Sequence, residues 1–101
     1  MIGLYSDKDP EEIIVLSMDF TAILAGGETI QSATWTVTRD GATENTASML
    51  VGNPDISAAP IVRQKVQGGT DNAVYLHRAK AVTSAGRTLV NGVRQAVKLG
   101  A

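Results

Sequence analysis

Apolar and polar residues alternate in several short stretches of this chain, and glycine, proline, asparagine or aspartate punctuates the gaps between them. The punctuation falls at Asp9-Pro10, Gly26-Gly27, Asp40-Gly41, Gly52-Asn53-Pro54, Gly68-Gly69, Ser84-Ala85-Gly86 and Asn91-Gly92. Period-two segments separated by turn signals about every ten residues predict an all-β sandwich or barrel.

Taken in order, Glu12 to Phe20 predicts the first strand, with Ile14, Leu16, Met18 and Phe20 on one face. Ile13 and Val15 make the opposite face apolar as well, which predicts partial cover there. Thr21 to Ala25 is too short for a stable α-helix and predicts a helical turn at a corner. Thr29 to Arg39 is rich in β-branched residues and predicts a strand with Ala33, Trp35 and Val37 inward and Thr34, Thr36 and Thr38 outward. Asp40-Gly41 has the chemistry of a tight hairpin turn after it. Thr43 to Val51 predicts one or two short strands, and Gly52 to Pro60, with its two prolines, a loop.

The second half alternates again. Over Ile61 to Gln67, Arg63 and Lys65 share one face while Val62 and Val66 share the other. Ala73 to Thr83 predicts a long strand with Tyr75, Ala79 and Ala81 inward and Arg78 and Lys80 toward water. Ser84-Ala85-Gly86 fits a short hairpin loop with Gly86 at a left-handed position. Arg87 to Leu99 completes the pair, with Asn91-Gly92 as a bulge. A helix stays open for this segment, since Val90, Val93 and Val97 also fit one helical face; Thr88, Gly92 and the valines favour the strand.

Composition narrows the picture. The 101 residues suit one domain, 1–101, with a short N-terminal arm at 1–7, and are enough to bury a core without cross-links. At 44% apolar and 19% charged the chain is folded rather than disordered. Its four aromatics are Tyr5, Phe20, Trp35 and Tyr75, so aliphatic side chains must fill most of the interior. Without cysteine there are no disulfides, no thiol catalysis and no thiolate metal sites. Nine basic and ten acidic residues give a net charge of −1, which does not suit a nucleic-acid partner. No run is long enough to span a membrane, and the first residues lack the basic and apolar regions of a signal peptide. The expected compartment is the cytosol, or a particle assembled there.

Little in the sequence promises chemistry. His77, the one histidine, is expected as a hydrogen-bonded, partly buried imidazole rather than a catalyst. No nucleophile elbow, phosphate loop or zinc-helix motif accompanies it, so no enzyme and no cofactor is expected. Asp7, Asp9, Glu11 and Glu12 surround Pro10 and have the oxygen-rich character of a calcium site. They lack a glycine-punctuated ligand loop and include Lys8, so a solvated approach to the first strand is expected instead. Arg63, Lys65, Arg78 and Lys80 make one basic stripe if their strands are neighbours in one sheet, with Arg87 and Arg94 extending it. Such a stripe suits an acidic partner; the alternative is an ordinary solvent-facing sheet. The arm residues Ile2, Leu4 and Tyr5 either pack on their own domain or pair with a neighbour by strand addition. The candidate contact residues are therefore Ile2, Leu4, Tyr5, Arg63, Lys65, Arg78, Lys80 and Arg87.

One ordered set of fragments remains. Lys8-Asp9-Pro10, Asp19-Phe20, Leu24, Gly27-Glu28-Thr29-Ile30, Thr34-Trp35-Thr36-Val37, Gly68-Gly69-Thr70, Tyr75 and Thr83-Ser84-Ala85-Gly86-Arg87 follow one another along the chain. In that order and spacing they resemble the fiber-tail adaptor proteins of tailed bacteriophages. Phe20 stands where that family tends to have tryptophan, and Thr43 to Pro60 has no counterpart. The resemblance implies an immunoglobulin-like antiparallel β-sandwich of about seven strands and no catalytic residues. It also implies a structural virion protein that connects a tail fiber or tailspike to the tail or its nozzle, in several copies. Such a protein has no nucleic-acid or membrane partner and is assembled in the host cytoplasm. Two other functions stay open: a capsid decoration or head–tail joining protein, and a carbohydrate-binding sandwich. The latter needs exposed aromatic platforms, which inward-facing Trp35 and Tyr75 would not supply.

Overall fold

The period-two stretches become strands with one face in and one face out. The computed structural model describes residues 2–4 (as backbone), 7–39 and 46–100. Among them seven strands follow in order: β1 (Ile2–Leu4), β2 (Ile14–Asp19), β3 (Ile30–Arg39), β4 (Leu50–Asp55), β5 (Ile61–Val66), β6 (Val74–Thr83) and β7 (Thr88–Ala96). They form two sheets, ordered β1-β7-β6-β3 and β2-β5-β4. Every pairing is antiparallel except that of β1 with β7, which is parallel. The orders β2-β5-β4 and β3-β6-β7 are those of strands B-E-D and C-F-G in an immunoglobulin sandwich.

The core lies where the inner faces meet. Leu16 and Met18 of β2, Phe20 beyond it, and Val62 and Val66 of β5 pack with Trp35 of β3, Ala79 and Ala81 of β6 and Val93 of β7. Small residues on β6 leave room for the one large indole. A second cluster of Val37, Met49, Ala73, Tyr75 and Val97 closes one end of the sandwich. The helical turn expected after the first strand is a 3-10 turn, Thr21–Ile23. Asp19 organises it by accepting the Thr21 N–H at 2.8 Å and the Thr21 hydroxyl at 2.5 Å.

Immunoglobulin sandwiches carry a buried tryptophan on strand C and a tyrosine opening strand F, two residues before a half-cystine, whose hydroxyl bonds backbone upstream. Trp35 occupies the first position on β3. Tyr75 occupies the second on β6, and its hydroxyl accepts the Thr70 N–H at 2.9 Å. Two residues on, where a half-cystine would stand, is His77. Its Nδ1 accepts the Trp35 indole N–H at 3.1 Å, with the rings edge to face. In this cysteine-free chain the half-cystine position therefore bonds the indole of the neighbouring strand in its own sheet, and side-chain packing alone joins the two layers there.

His77 is fully buried rather than partly so, because inward alternation on a central strand leaves it no route to water. Burial pushes its pKa down from 6.5 to about 4. The neutral ring accepts at Nδ1, so its proton sits on Nε2, which has no hydrogen-bond partner among the described residues. Above pH 6.5 the imidazole is neutral in both folded and unfolded chains, and its full contribution to stability is present. As pH falls from 6.5 through about 4, the unfolded chain takes up a proton that the folded chain refuses. The unfolding free energy drops by about 3 kcal/mol across that window. Denaturant titrations at stepped pH measure this drop, and His77→Gln, which keeps an acceptor for Trp35, flattens it; an unchanged slope in that variant would remove His77 as its source.

Four expectations need correction. Ile13 and Val15 are 61% and 49% exposed, because β2 is an edge strand with no layer over its outer face. Part of the predicted loop Gly52 to Pro60 is strand β4, Leu50–Asp55. Proline is tolerated on such an edge, and the pairing slips between Val51 and Asp55, where Gly52 takes φ +72°. Within the stretch Thr43 to Val51, Ala47–Met49 is a 3-10 turn, and strand begins only at Leu50. The expected hairpin turn at Asp40-Gly41, and Thr43 with it, lie outside the described residues. Finally, Asn91-Gly92 is not a bulge. β6 and β7 stay in register through Arg78–Gly92 and Ala79–Asn91, since neither strand carries an extra residue there. The irregularity lies instead at Ile30–Ser32 of β3.

Candidate functional interface

The two sheets turn different chemistry outward. On the three-stranded sheet, Arg63 and Lys65 of β5 line a shallow groove of about 590 Å³ with Val15, Val51, Asn53 and Asp55. Asp55 lies in register opposite Arg63. Its carboxyl is held below the usual range chiefly by Ser57 hydrogen bonds, with Arg63 adding to them. This face carries both signs of charge.

On the four-stranded sheet, Arg78 and Lys80 of β6 are exposed between the Thr34, Thr36 and Thr38 column of β3 and Val90 of β7. Thr34, Thr36, Arg78, Lys80 and Val90 line a second groove of about 340 Å³. Arg94 has the same outward parity on β7, opposite Leu76. The single basic stripe expected from sequence is therefore split. Arg63 and Lys65 belong to one sheet and Arg78 and Lys80 to the other, so the two pairs point away from each other.

The arm joins the second of these faces. β1 pairs with β7 through Ile2–Gly92, Gly3–Val93 and Leu4–Arg94, so its backbone extends the four-stranded sheet of its own chain. Tyr5 lies outside the described residues. The path continues to Lys8, whose N–H donates to Ala96 O at 3.0 Å and whose carbonyl accepts the Lys98 N–H at 2.8 Å. Sequence reasoning left Lys8 in solvent among acids, yet it is fully buried. Its ammonium donates to Asp9 O at 2.8 Å and Gly68 O at 2.7 Å, stapling the arm to the Gly68-Gly69 turn. Burial lowers its pKa, while Glu12 and Asp9 act the other way. Asp9 is itself occupied: its carboxylate accepts the Glu11 N–H at 2.8 Å and the Gly100 N–H at 2.6 Å. The acidic residues thus shape the turn into β2, and no cluster of three or more metal-ligating side chains occurs among the described residues.

Arg87 is engaged within the chain. Its guanidinium pairs with both Glu28 oxygens, one contact being Nε to Oε2 at 2.9 Å, and donates to Ile23 O at 3.0 Å. The Glu28 side chain, only 2% exposed, also accepts the Thr83 hydroxyl and the Ala25 N–H. This network docks the β6–β7 hairpin on the Gly26-Gly27 corner. Arg87, then Thr83 and Ala25, pull the Glu28 pKa from 4.5 to about 2. Its contribution to stability is present above pH 4.5 and is lost as pH falls toward 2, below the window of His77.

Sheet order, arm and corner can be set beside known proteins. The family model of the podophage GP4 fiber-tail adaptor protein gp77 matches residues 8–94, from the buried lysine to the outward arginine of β7. The chain belongs to this fiber-tail adaptor family. A comparison with curated proteins gives no match. The adaptor is thus a structural protein of a phage tail and a component of the virion. The matched span covers Lys8, the Glu28 corner, Trp35, Tyr75, His77 and Arg87, all of which build or brace the sandwich.

Proposed function

We propose that this adaptor, folded as one immunoglobulin-like unit over 1–101, joins a tail fiber or tailspike to the tail or its nozzle, several copies serving each particle. The observation that supports this reading is the separation of its two outward faces. One carries Arg63 and Lys65 beside Asp55, the other Arg78 and Lys80 among threonines, and they belong to opposite layers. A connector needs two surfaces that do not compete, and back-to-back sheets supply them. The histidine is used in the core: the buried imidazole of His77 accepts a hydrogen bond from an indole. The assigned work is contact, made by side chains on rigid strands.

Deleting the gene from a phage and imaging the particles tests the role directly. Virions without the adaptor retain a filled head and a tail but lack fibers, and supplying the protein in trans restores them. Fibers present at normal occupancy without it would end the reading.

A second test addresses the arm. Removing Met1 to Ser6 takes away three register pairs at a sheet edge but leaves the Lys8 staple. The truncated chain keeps its β-sheet circular dichroism and cooperative melting, while its incorporation into particles falls. Incorporation at the wild-type level would remove the arm from the interface.

A further inference from the structure

We infer that the outer face of the four-stranded sheet is the docking surface for a carboxylate-rich protein surface, with Arg78 and Lys80 as its charged anchors. The inference rests on the adaptor reading and adds the chemistry of one partner.

Three observations meet on this face. First, its outward strand positions carry cations and no acidic side chain. The outward positions of β3, β6 and β7 include Arg78, Lys80 and Arg94, and none of these outward positions is Asp or Glu. In a chain of net charge −1 this is segregation rather than general basicity. On the opposite sheet, by contrast, Asp55 faces Arg63 in register. Second, the cations stand on a platform suited to burial. Val74, Val82 and Val90 are exposed on the same face, and Thr34 and Thr36 flank the groove with short side chains that lose little freedom when covered. Exposed aliphatics around paired cations resemble the apolar centre and charged contacts of a protein interface. Third, β1 extends this same sheet, so the arm borders the surface.

Duplex DNA is the competing anion and fits less well. Affinity for it rises with the number of phosphates neutralised, and these few cations are interleaved with valines. Single-stranded nucleic acid needs stacking platforms, and no aromatic side chain lies among the outward positions of β3, β6 and β7.

The test uses particles purified from a phage lacking the adaptor gene, incubated with the full-length protein. Wild-type adaptor binds them, and raising salt from about 0.1 M to about 0.5 M weakens the binding, as expected where opposite charges attract across surfaces that solvent reaches. Arg78→Glu with Lys80→Glu reduces occupancy at least about tenfold, while Lys98→Glu, at an exposed position beyond the end of β7 and outside both sheet faces, leaves it within about twofold of wild type. Arg78→Gln with Lys80→Gln gives an intermediate loss and serves if charge reversal prevents folding, which circular dichroism and melting report. Normal occupancy in both Arg78/Lys80 variants, or an equal loss in the Lys98 variant, overturns the assignment and leaves the adaptor role standing. Wild-type protein that never binds the particles overturns the adaptor role and this inference together. Salt-sensitive binding to duplex DNA that the Arg78/Lys80 variants lose assigns the face to nucleic acid instead.

Discussion

Trp35→Ala lowers the unfolding free energy by about 5 kcal/mol, the largest loss expected from a single truncation. Two terms add. Emptying a buried indole site costs about 3–5 kcal/mol, and the space is framed by Ala79 and Ala81, whose side chains are too short to fill it. The substitution also strands His77 Nδ1, which accepts the indole N–H at 3.1 Å; a buried polar atom left without its partner costs about 1–3 kcal/mol. Since domains of this kind are stable by about 5–15 kcal/mol, the variant stands at the edge of unfolding. Trp35→Phe keeps most of the filling and loses only the hydrogen bond, about 1–3 kcal/mol. Because Trp35 is the one tryptophan, denaturant titrations must be followed by circular dichroism. An alanine variant within about 1 kcal/mol of wild type would show that the indole does not occupy a filled core.

Gly69→Ala is expected to cost about 4 kcal/mol, whereas Gly68→Ala one residue earlier costs about 1–2 kcal/mol. Both glycines have positive φ, +68° at Gly68 and +102° at Gly69, so each substitution carries backbone strain. Only Gly69 also meets the core. A Cβ there would lie 2.7 Å from Val97 Cγ2 and 3.4 Å from Met49 Cε and Tyr75 Cε2. Val97 is β-branched, buried and hydrogen-bonded through its backbone to Ala73, so it cannot swing aside. Any shift of the turn also pulls on Gly68 O, which holds the Lys8 ammonium, and on the Thr70 N–H, which bonds Tyr75. Paired thermal melts decide the matter: equal losses in the two variants would mean that backbone strain alone governs this turn.

What the sequence made legible was local. Alternation placed Leu16, Met18, Trp35, Tyr75 and Ala79 on inner faces, because a strand has a period of two wherever it lies. Gly86 was readable for the same reason: a short hairpin needs a left-handed residue, and it has φ +78°. What stayed hidden depends on distant partners. The outward parity of Arg63, Lys65, Arg78 and Lys80 was right, but parity does not say which sheet a strand joins. β4 was hidden because Gly52 and Pro54 carry loop chemistry in a strand that an edge tolerates. Arg87 read as a free cation because Glu28 is 59 residues away. Lys8 read as solvated because its acceptor, Gly68 O, is 60 residues away. The lysine beside Asp9-Pro10 was visible as a family fragment, but nothing local distinguishes a buried ammonium from a surface one.

The direction of β1 has a mechanical consequence. The arm and β7 run the same way, paired from Ile2–Gly92 to Leu4–Arg94, and the chain meets the end of that strand again at Lys8–Val97. Tension drawing the start of the arm one way and the far end of β7 the other would load those pairings in shear, so their bonds must yield together rather than unzip in turn.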